Sequence, residues 1–527
     1  MKYKPDKRAL IISIVWSVLF SIGIHIGYSF DKHGELSLGN PLWYVSILGT
    51  LIVAAIAAYM IIVWPVGTGG HKDLGGHKVF LRNWIIILGC WIPVFLAEYP
   101  GFFVYDATDE YVEVATRTFT THHPLLHVLM LGGSVCAGHK ITGDYNTGIA
   151  MFILCQMIVV SAVFAWVSMR LRRVSVLWFA LFPTVVMFAL CSVKDTLFAI
   201  AMMVAVVLTV EKKNWKSLLI LAISLVTMML LRRNGVYGFL VYAIVAVICT
   251  VCVSSTEDTK MRLKKGLLVL AFMAIVLGSY KLVDFTLAKV THAEDIENQE
   301  IITVPIQQVA RTWSVYHDEM DEADLELLYR VLPEDALRRY TPDLSDPVKM
   351  DFDNSAYVGR EGEYARLWWK LFKEHPMSYI NAWIGTSYGY YYPWTVVNVY
   401  AGHEMYTFTY TESSYFGYEV ETPGERHSLI PVIDRFYRWL SHDDDIQRIP
   451  VVNLFFSMGA LFWVYMLCAG VMIYRRRWIN LCAITLPGAV WMTLLLGPTF
   501  LPRYTVFLWF MLPYVIHLAF DKEEKIN

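Results

Sequence analysis

Charged residues are scarce in this chain of 527 residues, at 17% of the sequence, whereas soluble domains carry about 25%. A basic excess is also missing, since 44 Lys and Arg stand against 46 Asp and Glu. With 56% hydrophobic residues, the low charge excludes a soluble single domain and a disordered chain. The missing basic excess excludes a nucleic-acid binder built on a basic surface.

The sequence also lacks a Walker loop and a Rossmann glycine pattern. ATP hydrolysis is therefore poorly supported, and serine-hydrolase chemistry is not predicted either. None of the eight cysteines lies between residues 284 and 449, and no disulfide framework is predicted there. Cys249 and Cys252 form a Cys-x-x-Cys inside an apolar stretch without further ligands nearby. This context favours helix packing over a redox or metal role.

The net charge of −2 results from two chemically different parts of the chain. Residues 284–449 hold 43 of the 90 charged residues, 14 basic and 29 acidic, whereas the rest of the chain holds 30 basic and 17 acidic residues. We therefore predict three regions: a transmembrane core at 1–283 with a first outer loop at 98–145, an acidic extracytoplasmic insert at 284–449, and C-terminal transmembrane helices at 450–527.

Apolar runs predict an all-α polytopic membrane protein with about 12 transmembrane helices, because a span needs about 20 apolar residues. The candidate spans are 9–30, 42–64, 84–97, 146–168, 174–191, 195–210, 216–231, 235–253, 266–283, 451–474, 478–497 and 502–520. If one further apolar run, 125–138, also crossed the membrane, every span after it would have the opposite orientation. If that run stays at the outer face, 22 Lys and Arg lie inside and only seven lie in short outer segments, as the positive-inside rule requires. Both termini are then cytoplasmic.

Three carboxylates lie within five residues of the first outer loop, at Asp106, Asp109 and Glu110. An apolar wall beside a carboxylate raises its pKa, which suits a general base. Asp106 and Glu110 would share one helix face, with Asp109 pointing elsewhere. The alternative is a solvated loop in which Asp106 or Asp109 caps a helix.

Three histidines follow in the same loop, at His122, His123 and His127. The spacing of His123 and His127 can present two ligands to one metal ion, but Pro124 interrupts the helix and no metal signature is complete. The favoured interpretation is the polar lining of a cavity. A divalent cation is left open as a cofactor, and no other cofactor is predicted.

Basic residues also occur in outer turns that are too short to be solvated loops. Charges at membrane depth are costly and face a cavity or a partner, and Arg suits forked contacts with phosphate. The pattern predicts an anionic ligand at the outer leaflet, and the alternative is snorkelling or pairing with a local carboxylate such as Asp195. The residues of these turns are Lys194, Asp195, Arg232, Arg233, Asn234, Arg503 and Tyr504.

In their order and spacing, these motifs resemble the GT-C superfamily of membrane glycosyltransferases, and most closely a bacterial branch related to the polyprenyl-phosphate mannosyl- and aminoarabinosyltransferases. The resemblance covers most of 84–253, the start of the insert and the last spans. Two spans precede the loop where many relatives have one, and the insert interrupts the spans. The matching motifs are Tyr99-Pro100-Gly101 leading to Asp106, His123-Pro124, Lys194-Asp195, Arg233-Asn234-Gly235, Pro305 to Arg311, and Arg503-Tyr504.

The resemblance implies an inverting enzyme that moves a sugar from a polyprenyl-phosphate donor to an extracytoplasmic glycan, lipid or protein. Asp106 would be the general base, with Asp109 as the fallback, and Lys194, Arg233 and Arg503 would stabilise the departing phosphate. It also implies the bacterial plasma membrane as the location, with the lipid bilayer as a partner and no nucleic acid. Two other classes stay open: a transporter or flippase for a lipid-linked saccharide, and a non-catalytic assembly protein of the cell envelope.

Overall fold

The computed structural model describes residues 6–65, 76–104, 106–211, 213–253, 258–295, 298–397, 421–442 and 445–521. Basic residues that the topology argument used at positions 2, 4, 72, 212, 522 and 525, with both chain ends, lie outside these ranges. The described residues are helices joined by turns, and their β-structure is limited to two isolated bridges, Phe102 with Cys191 and Thr120 with Glu294. The chain is an all-α membrane protein.

The helices fall into three groups along the chain. The first group is α1 (Lys7–His33), α2 (Pro41–Ile62), α3 (Gly76–Ala97), α4 (Ala107–Thr116), α5 (Leu125–Thr142), α6 (Tyr145–Ser168), α7 (Ser175–Leu181), α8 (Pro183–Ala189), α9 (Lys194–Val210), α10 (Trp215–Leu231), α11 (Asn234–Val253) and α12 (Thr259–Thr291). The insert contains α13 (Thr303–Tyr316), α14 (Glu322–Tyr329), α15 (Glu334–Leu337), α16 (Asp346–Lys349), α17 (Asn354–Tyr357), α18 (Glu361–Glu374), α19 (Pro376–Gly385), α20 (Pro431–His442) and α21 (Asp445–Arg448). The last group is α22 (Val452–Phe456), α23 (Met458–Tyr474), α24 (Trp478–Leu494) and α25 (Val506–Phe520).

Seven helical stretches among the described residues are long and apolar enough to cross a bilayer. Two predicted spans are wrong as single helices. The run 174–191 breaks between α7 and α8, because Pro183 lacks an N–H and holds Phe182 in an extended conformation. The run 451–474 breaks at Ser457, whose side chain accepts a hydrogen bond from the Ala460 amide and starts α23. The seven stretches are α1, α2, α3, α6, α11, α12 and Pro502–Phe520.

Basic side chains bind the backbone at one end of the helix bundle. The Arg8 guanidinium donates to the Ile473 carbonyl at 2.6 Å, and the Arg475 guanidinium donates to the Trp64 carbonyl at 2.7 Å. The two contacts lie where α23 and α2 end. They join the start of α1 to the ends of α2 and α23, so one end of the bundle carries a basic cluster.

The insert lies at the opposite end of the bundle, which we call the insert end. Residues 421–429 of the insert run along the first outer loop. The amides of Glu421 and His427 donate to the carbonyls of Phe103 and Tyr99 at 2.8 and 2.9 Å. Arg426 contacts the buried Glu98 carboxylate at the end of α3. The last part of the insert is therefore held directly over the loop that carries the predicted carboxylates.

Both ends of α5 lie at the insert end. His123, just before α5, is 3.2 Å from the Lys194 ammonium group. After α5, the Asn146 side chain exchanges two hydrogen bonds with the backbone of Glu425, at 2.6 and 2.9 Å. The segment before the helix therefore contacts the start of α9, and the segment after it contacts the insert.

Candidate functional site

A short turn after α3 carries Asp106 towards α9. Gly101 has φ +114°, and a Cβ there would lie 2.7 Å from the Ile153 side chain, so the turn requires glycine. The Phe102 amide then donates to Leu190 and its carbonyl accepts from Ser192, both at 3.0 Å. Because Lys194 follows Ser192 by two residues, this pairing brings the loop beside the first turn of α9.

Asp106 lies between two cations that come from distant parts of the chain. Its Oδ2 atom is 3.4 Å from the Lys194 Nζ atom and 3.5 Å from an Arg503 Nη atom. The Asp106 side chain is 34% exposed, whereas those of Lys194 and Arg503 are 17% and 12% exposed. The carboxylate is therefore accessible to a ligand, and the two cations beside it are less exposed.

The ionisation of Asp106 differs from the sequence prediction. Burial alone would raise its pKa, but the charges of Lys194 and Arg503 hold the pKa of this carboxyl well below its ordinary value. The predicted rise in pKa is therefore wrong for Asp106. It occurs at Asp109, where desolvation and then the neighbouring Asp106 charge raise the pKa.

Glu110 and Asp106 both face Lys194, as their spacing predicts. Glu110 is buried, its Oε1 atom is 3.9 Å from the Lys194 Nζ atom, and its Oε2 atom is 2.5 Å from the Nδ1 atom of buried His127. Burial would raise the pKa of Glu110, but His127 and Lys194 lower it. Glu110 therefore stays negatively charged next to Lys194 and orients its ammonium group.

His123 is buried beside the same ammonium group, with its Nδ1 atom 3.2 Å from Lys194 Nζ. A protonated Lys offers no acceptor, so Nδ1 of His123 accepts this hydrogen bond. Burial and then the Lys194 charge lower the pKa of His123 to about 3. His123 therefore stays neutral and accepts a hydrogen bond from Lys194 beside the carboxylates of Asp106 and Glu110.

We expect this buried His123 to make the folded chain sensitive to acid. Its pKa of about 3 lies below the ordinary 6.5, so the unfolded chain binds the extra proton first as the pH falls. The contribution of neutral His123 to the free energy of unfolding is fully present above pH 6.5. It declines towards pH 3, by at most about 1.4 kcal/mol per pH unit. Thermal unfolding of the purified chain between pH 7 and pH 4.5 measures the slope. His123→Gln should flatten it, and His122→Gln, at the exposed neighbouring position, should leave it unchanged; equal slopes in all three chains would contradict the assignment.

Arg232, Asp195 and Tyr504 form the next layer of the site. Arg232 pairs with the buried Asp195 carboxylate, so the alternative of local pairing holds for this arginine. The guanidinium carbons of Arg232 and Arg503 lie 4.7 and 4.9 Å from the centre of the Tyr504 ring. Tyr504 therefore bridges the two arginines by cation–π contacts, and its hydroxyl oxygen also accepts a hydrogen bond from Arg503 at 3.1 Å.

Four predicted site residues lie outside the ion pairs of Asp106, although the His122 ring contacts the His123 ring, with the ring centres 4.5 Å apart. Asp109 and His122 are exposed to solvent. Arg233 is also exposed, and it donates to the Thr121 carbonyl at 2.5 Å. Asn234 bonds to the Thr493 hydroxyl at 3.1 Å, between α11 and α24. In these contacts, Arg233 and Asn234 join the chain segments around the cluster.

Sequence reasoning missed Glu421, which caps α4 from a distant part of the chain. Asp106 occupies the N-cap position with φ 68° and makes no side-chain cap, whereas Glu421 Oε2 accepts from the Thr108 amide at 2.7 Å. This contact fulfils the usual role of an N-cap side chain and leaves the Asp106 carboxylate to the cations. Glu421 is one of 29 acidic residues in the insert, and nothing in the sequence distinguishes it from the others.

Sequence reasoning also overlooked a Gly-x-Ser-x-Gly stretch at 385–389. A nucleophile of this type stands exposed on a strand-to-helix turn. Ser387 is instead 1% exposed at the end of α19, and its hydroxyl donates to the Trp383 carbonyl at 2.9 Å. The stretch does not present a serine nucleophile.

Within the described part of the chain, no group of three or more His, Cys, Asp or Glu side chains is arranged to hold a metal ion. His123 and His127, the pair with metal-ligand spacing, have Lys194 and Glu110 as their respective neighbours. The Nδ1 atoms of both histidines therefore contact residues of the ion-pair cluster.

Comparison with known proteins gives a family but no activity. No curated protein and no solved structure matches the chain. The model of one family matches residues 110–525, which include ten of the twelve predicted site residues and leave out Asp106 and Asp109. The chain belongs to this family, which is described as a family of unknown function (DUF6020).

Proposed function

We propose that the protein is a membrane glycosyltransferase that moves a sugar from a polyprenyl-phosphate donor to an acceptor outside the cytoplasm. One observation carries this proposal: the one-third-exposed Asp106 carboxylate lies within 3.5 Å of both the Lys194 and the Arg503 cations. A carboxylate that can take a proton, beside cations that can bind a phosphate, is what transfer from a sugar phosphate needs.

In this proposal the donor phosphate binds Lys194 and Arg503 and replaces Asp106 as their partner. Asp106 then loses the contacts that lower its pKa, so its basicity rises when the donor is bound. The acceptor hydroxyl gives its proton to Asp106 and its oxygen forms a bond to the sugar C1. The bond from C1 to the phosphate oxygen breaks, and its electron pair leaves with polyprenyl phosphate. A single displacement of this kind inverts the configuration at C1.

The buried neighbours of Lys194 fit this mechanism. Glu110 and His123 both contact the Lys194 ammonium group. This group therefore need not reorganise when charge develops on the leaving phosphate. A transporter or flippase would use the same cations without a base. Asp106 at the centre of the cluster therefore favours the enzyme over the transporter.

We further propose twelve transmembrane segments in the plasma membrane of a bacterium, with both termini cytoplasmic. This count is supported by the helix ends at the insert end, where α3, α8, α10 and α12 finish and α9 and α11 begin. It is also supported by the contacts just before and just after α5, which both lie at the insert end, as expected for a helix that adds no crossing. The basic cluster at the other end then faces the cytoplasm.

We expect impermeant maleimide to distinguish the two ends of the bundle. In a chain whose eight native cysteines are replaced by alanine, Met350→Cys in the insert should be labelled in intact cells. Arg172→Cys, in the turn between α6 and α7, should be labelled only after permeabilisation. The cysteine-free chain is the control for background labelling. Labelling of Arg172→Cys in intact cells would overturn the orientation.

A glycan profile of a deletion strain tests the proposed activity. We expect one envelope glycan, glycolipid or glycoprotein to lose a sugar on deletion, and the wild-type gene to restore it. A gene carrying Asp106→Asn should not restore it, although the protein is present in the membrane. A deletion strain with unchanged glycans would refute the glycosyltransferase, and restoration by Asp106→Asn would favour the flippase or the assembly protein.

A further inference from the structure

A cleft lies between α1 and α2 at the insert end of the bundle. It has a volume of about 550 Å³, and none of the predicted site residues lines it. Both helices precede residue 110, where the family match begins. Polar and aromatic side chains of the two helices and of the insert form its walls, among them His25, Tyr28, Ser29, Trp43, Tyr392 and Trp394.

The insert closes this cleft through a close contact with α1. A Cβ on Gly27 would lie 2.4 Å from the Cβ of Tyr392, so only glycine allows the Tyr392 backbone to approach the helix. The Trp463 indole donates to the Tyr391 carbonyl at 2.7 Å and fixes the same stretch. Tyr392 is 5% exposed as a result. The cleft therefore has a fixed wall and is more than a gap between two helices.

An unmatched acceptor and an unmatched donor lie side by side in the cleft. The Nδ1 atom of His25 is 2.8 Å from the Ser21 carbonyl, and a carbonyl only accepts, so Nδ1 carries the hydrogen and Nε2 of the neutral ring is an acceptor. Among the described residues, His25 Nε2 has no hydrogen-bond partner, and the Trp43 indole N–H is screened from water without one. The two ring centres are 6.2 Å apart.

This pair of groups matches a hydroxyl, which both donates and accepts. A buried N–H without an acceptor costs about 1–3 kcal/mol, so Trp43 marks a position where a partner is expected. No Asp, Glu, Lys or Arg side chain lines the cleft in the described part of the chain, which argues against a phosphate or a metal ion. The aromatic side chains offer flat apolar faces for the C–H side of a sugar ring.

The surroundings of the cleft indicate that its ligand is carried by a lipid. Tyr28 and Trp394 at the rim are 48% and 47% exposed. Val45, Leu48 and Ile52 of α2 are 64%, 61% and 59% exposed and continue from the cleft along a span-length apolar helix. Acyl chains can lie along this surface while the headgroup enters the cleft.

We propose that the cleft between α1 and α2 binds the uncharged saccharide headgroup of a glycolipid. His25 Nε2 accepts from a sugar hydroxyl, and Trp43 Nε1 donates to a sugar oxygen after a small movement of the indole. This site goes beyond the proposed transfer reaction, because it uses none of the Asp106 cluster and would bind its ligand whether or not the chain transfers a sugar.

Native mass spectrometry of the full-length chain in nanodiscs tests this site. The discs contain dioleoylphosphatidylcholine with a few mole per cent of diglucosyl diacylglycerol as the probe, and parallel discs contain phosphatidylglycerol or receive free maltose. We expect the released protein to retain the glycolipid in preference to either phospholipid and to retain no maltose. Equal retention of the phospholipids would overturn the site, and retention of maltose at the level of the glycolipid would overturn the lipid-borne source.

Three substitutions locate the binding. His25→Phe and Trp43→Phe should each lower glycolipid retention about 3- to 10-fold, the loss expected for one hydrogen bond. Trp16→Phe is the matched control, because the Trp16 indole N–H is also buried without a partner on α1 but lies outside the cleft. Melting temperatures close to the wild-type value show that each variant folds. Retention that is unchanged in His25→Phe and Trp43→Phe, or lowered equally in Trp16→Phe, would overturn the proposal. Asp106→Asn should retain the glycolipid normally, which separates this site from the proposed transfer.

Discussion

Asp106→Asn should lower the rate of sugar transfer by about 10²- to 10⁴-fold, the contribution of a positioned general base. The amide keeps the shape of the side chain but cannot take the proton of the acceptor hydroxyl. It also removes the negative charge that competes with the donor phosphate for Lys194 and Arg503. We therefore expect the donor to bind at least as tightly to the variant as to the wild-type chain.

Release of polyprenyl phosphate from radiolabelled polyprenyl-phosphate sugars measures the rate, and retention of the same donor by the purified chain measures binding. Asp318→Asn in the insert is the matched control, because its side chain is 94% exposed. A variant Asp106→Asn that transfers at the wild-type rate would contradict the base assignment. If only Asp109→Asn loses transfer, the base is Asp109, whose raised pKa already suits that role.

Lys194→Met should lower the transfer rate by about 10²- to 10³-fold, as expected for the loss of one fixed group that stabilises the developing charge. Methionine keeps the length of the side chain and removes the charge. The variant also leaves buried Glu110 and Asp106 without their shared cation, so donor binding should weaken together with the rate. This combined loss differs from the pattern of Asp106→Asn, which affects the rate alone.

The same release assay with a donor titration checks this expectation. Lys140→Met is the matched control, since Lys140 is an exposed lysine near the end of α5. A Lys194→Met variant with a rate within twofold of the wild type would remove Lys194 from the mechanism. A melting temperature measured in parallel shows whether the loss of the cation beside Glu110 and Asp106 has unfolded the site instead.

The sequence predicted the parts of the site that depend on short-range patterns. The position of Lys194 at the start of α9 follows from its place between two apolar runs. Arg503 likewise lies in the turn that opens the last span. The resemblance implies that Lys194, Arg233 and Arg503 act with Asp106. Lys194 and Arg503 lie beside Asp106, whereas Arg233 bonds to the Thr121 carbonyl.

The parts that escaped prediction depend on contacts between distant residues. Nothing in the sequence around Asp106 indicates its left-handed backbone or its ion pairs, which lower the pKa where an apolar wall would raise it. Glu421 caps α4 from more than 300 residues away. Such contacts are set by tertiary packing, which local composition does not encode.

Helix breaks were misread for a related reason. Hydropathy treats 174–191 as one apolar run, although Pro183 divides it into two helices of seven residues. The pairing of Arg232 with Asp195 was recognised only as an alternative, because a sequence does not show which of several nearby cations a carboxylate contacts. Lys194 and Arg503 contact Asp106 and are partly exposed, so they carry the proposed phosphate contacts.

The configuration of the transferred sugar tests the central claim most directly. The purified chain is incubated with a polyprenyl-phosphate sugar and the acceptor identified from the deletion strain, and nuclear magnetic resonance gives the anomeric configuration of the product. A general base at Asp106 predicts a product inverted at C1 relative to the donor. A product with retained configuration, or no sugar product at all, would contradict the account.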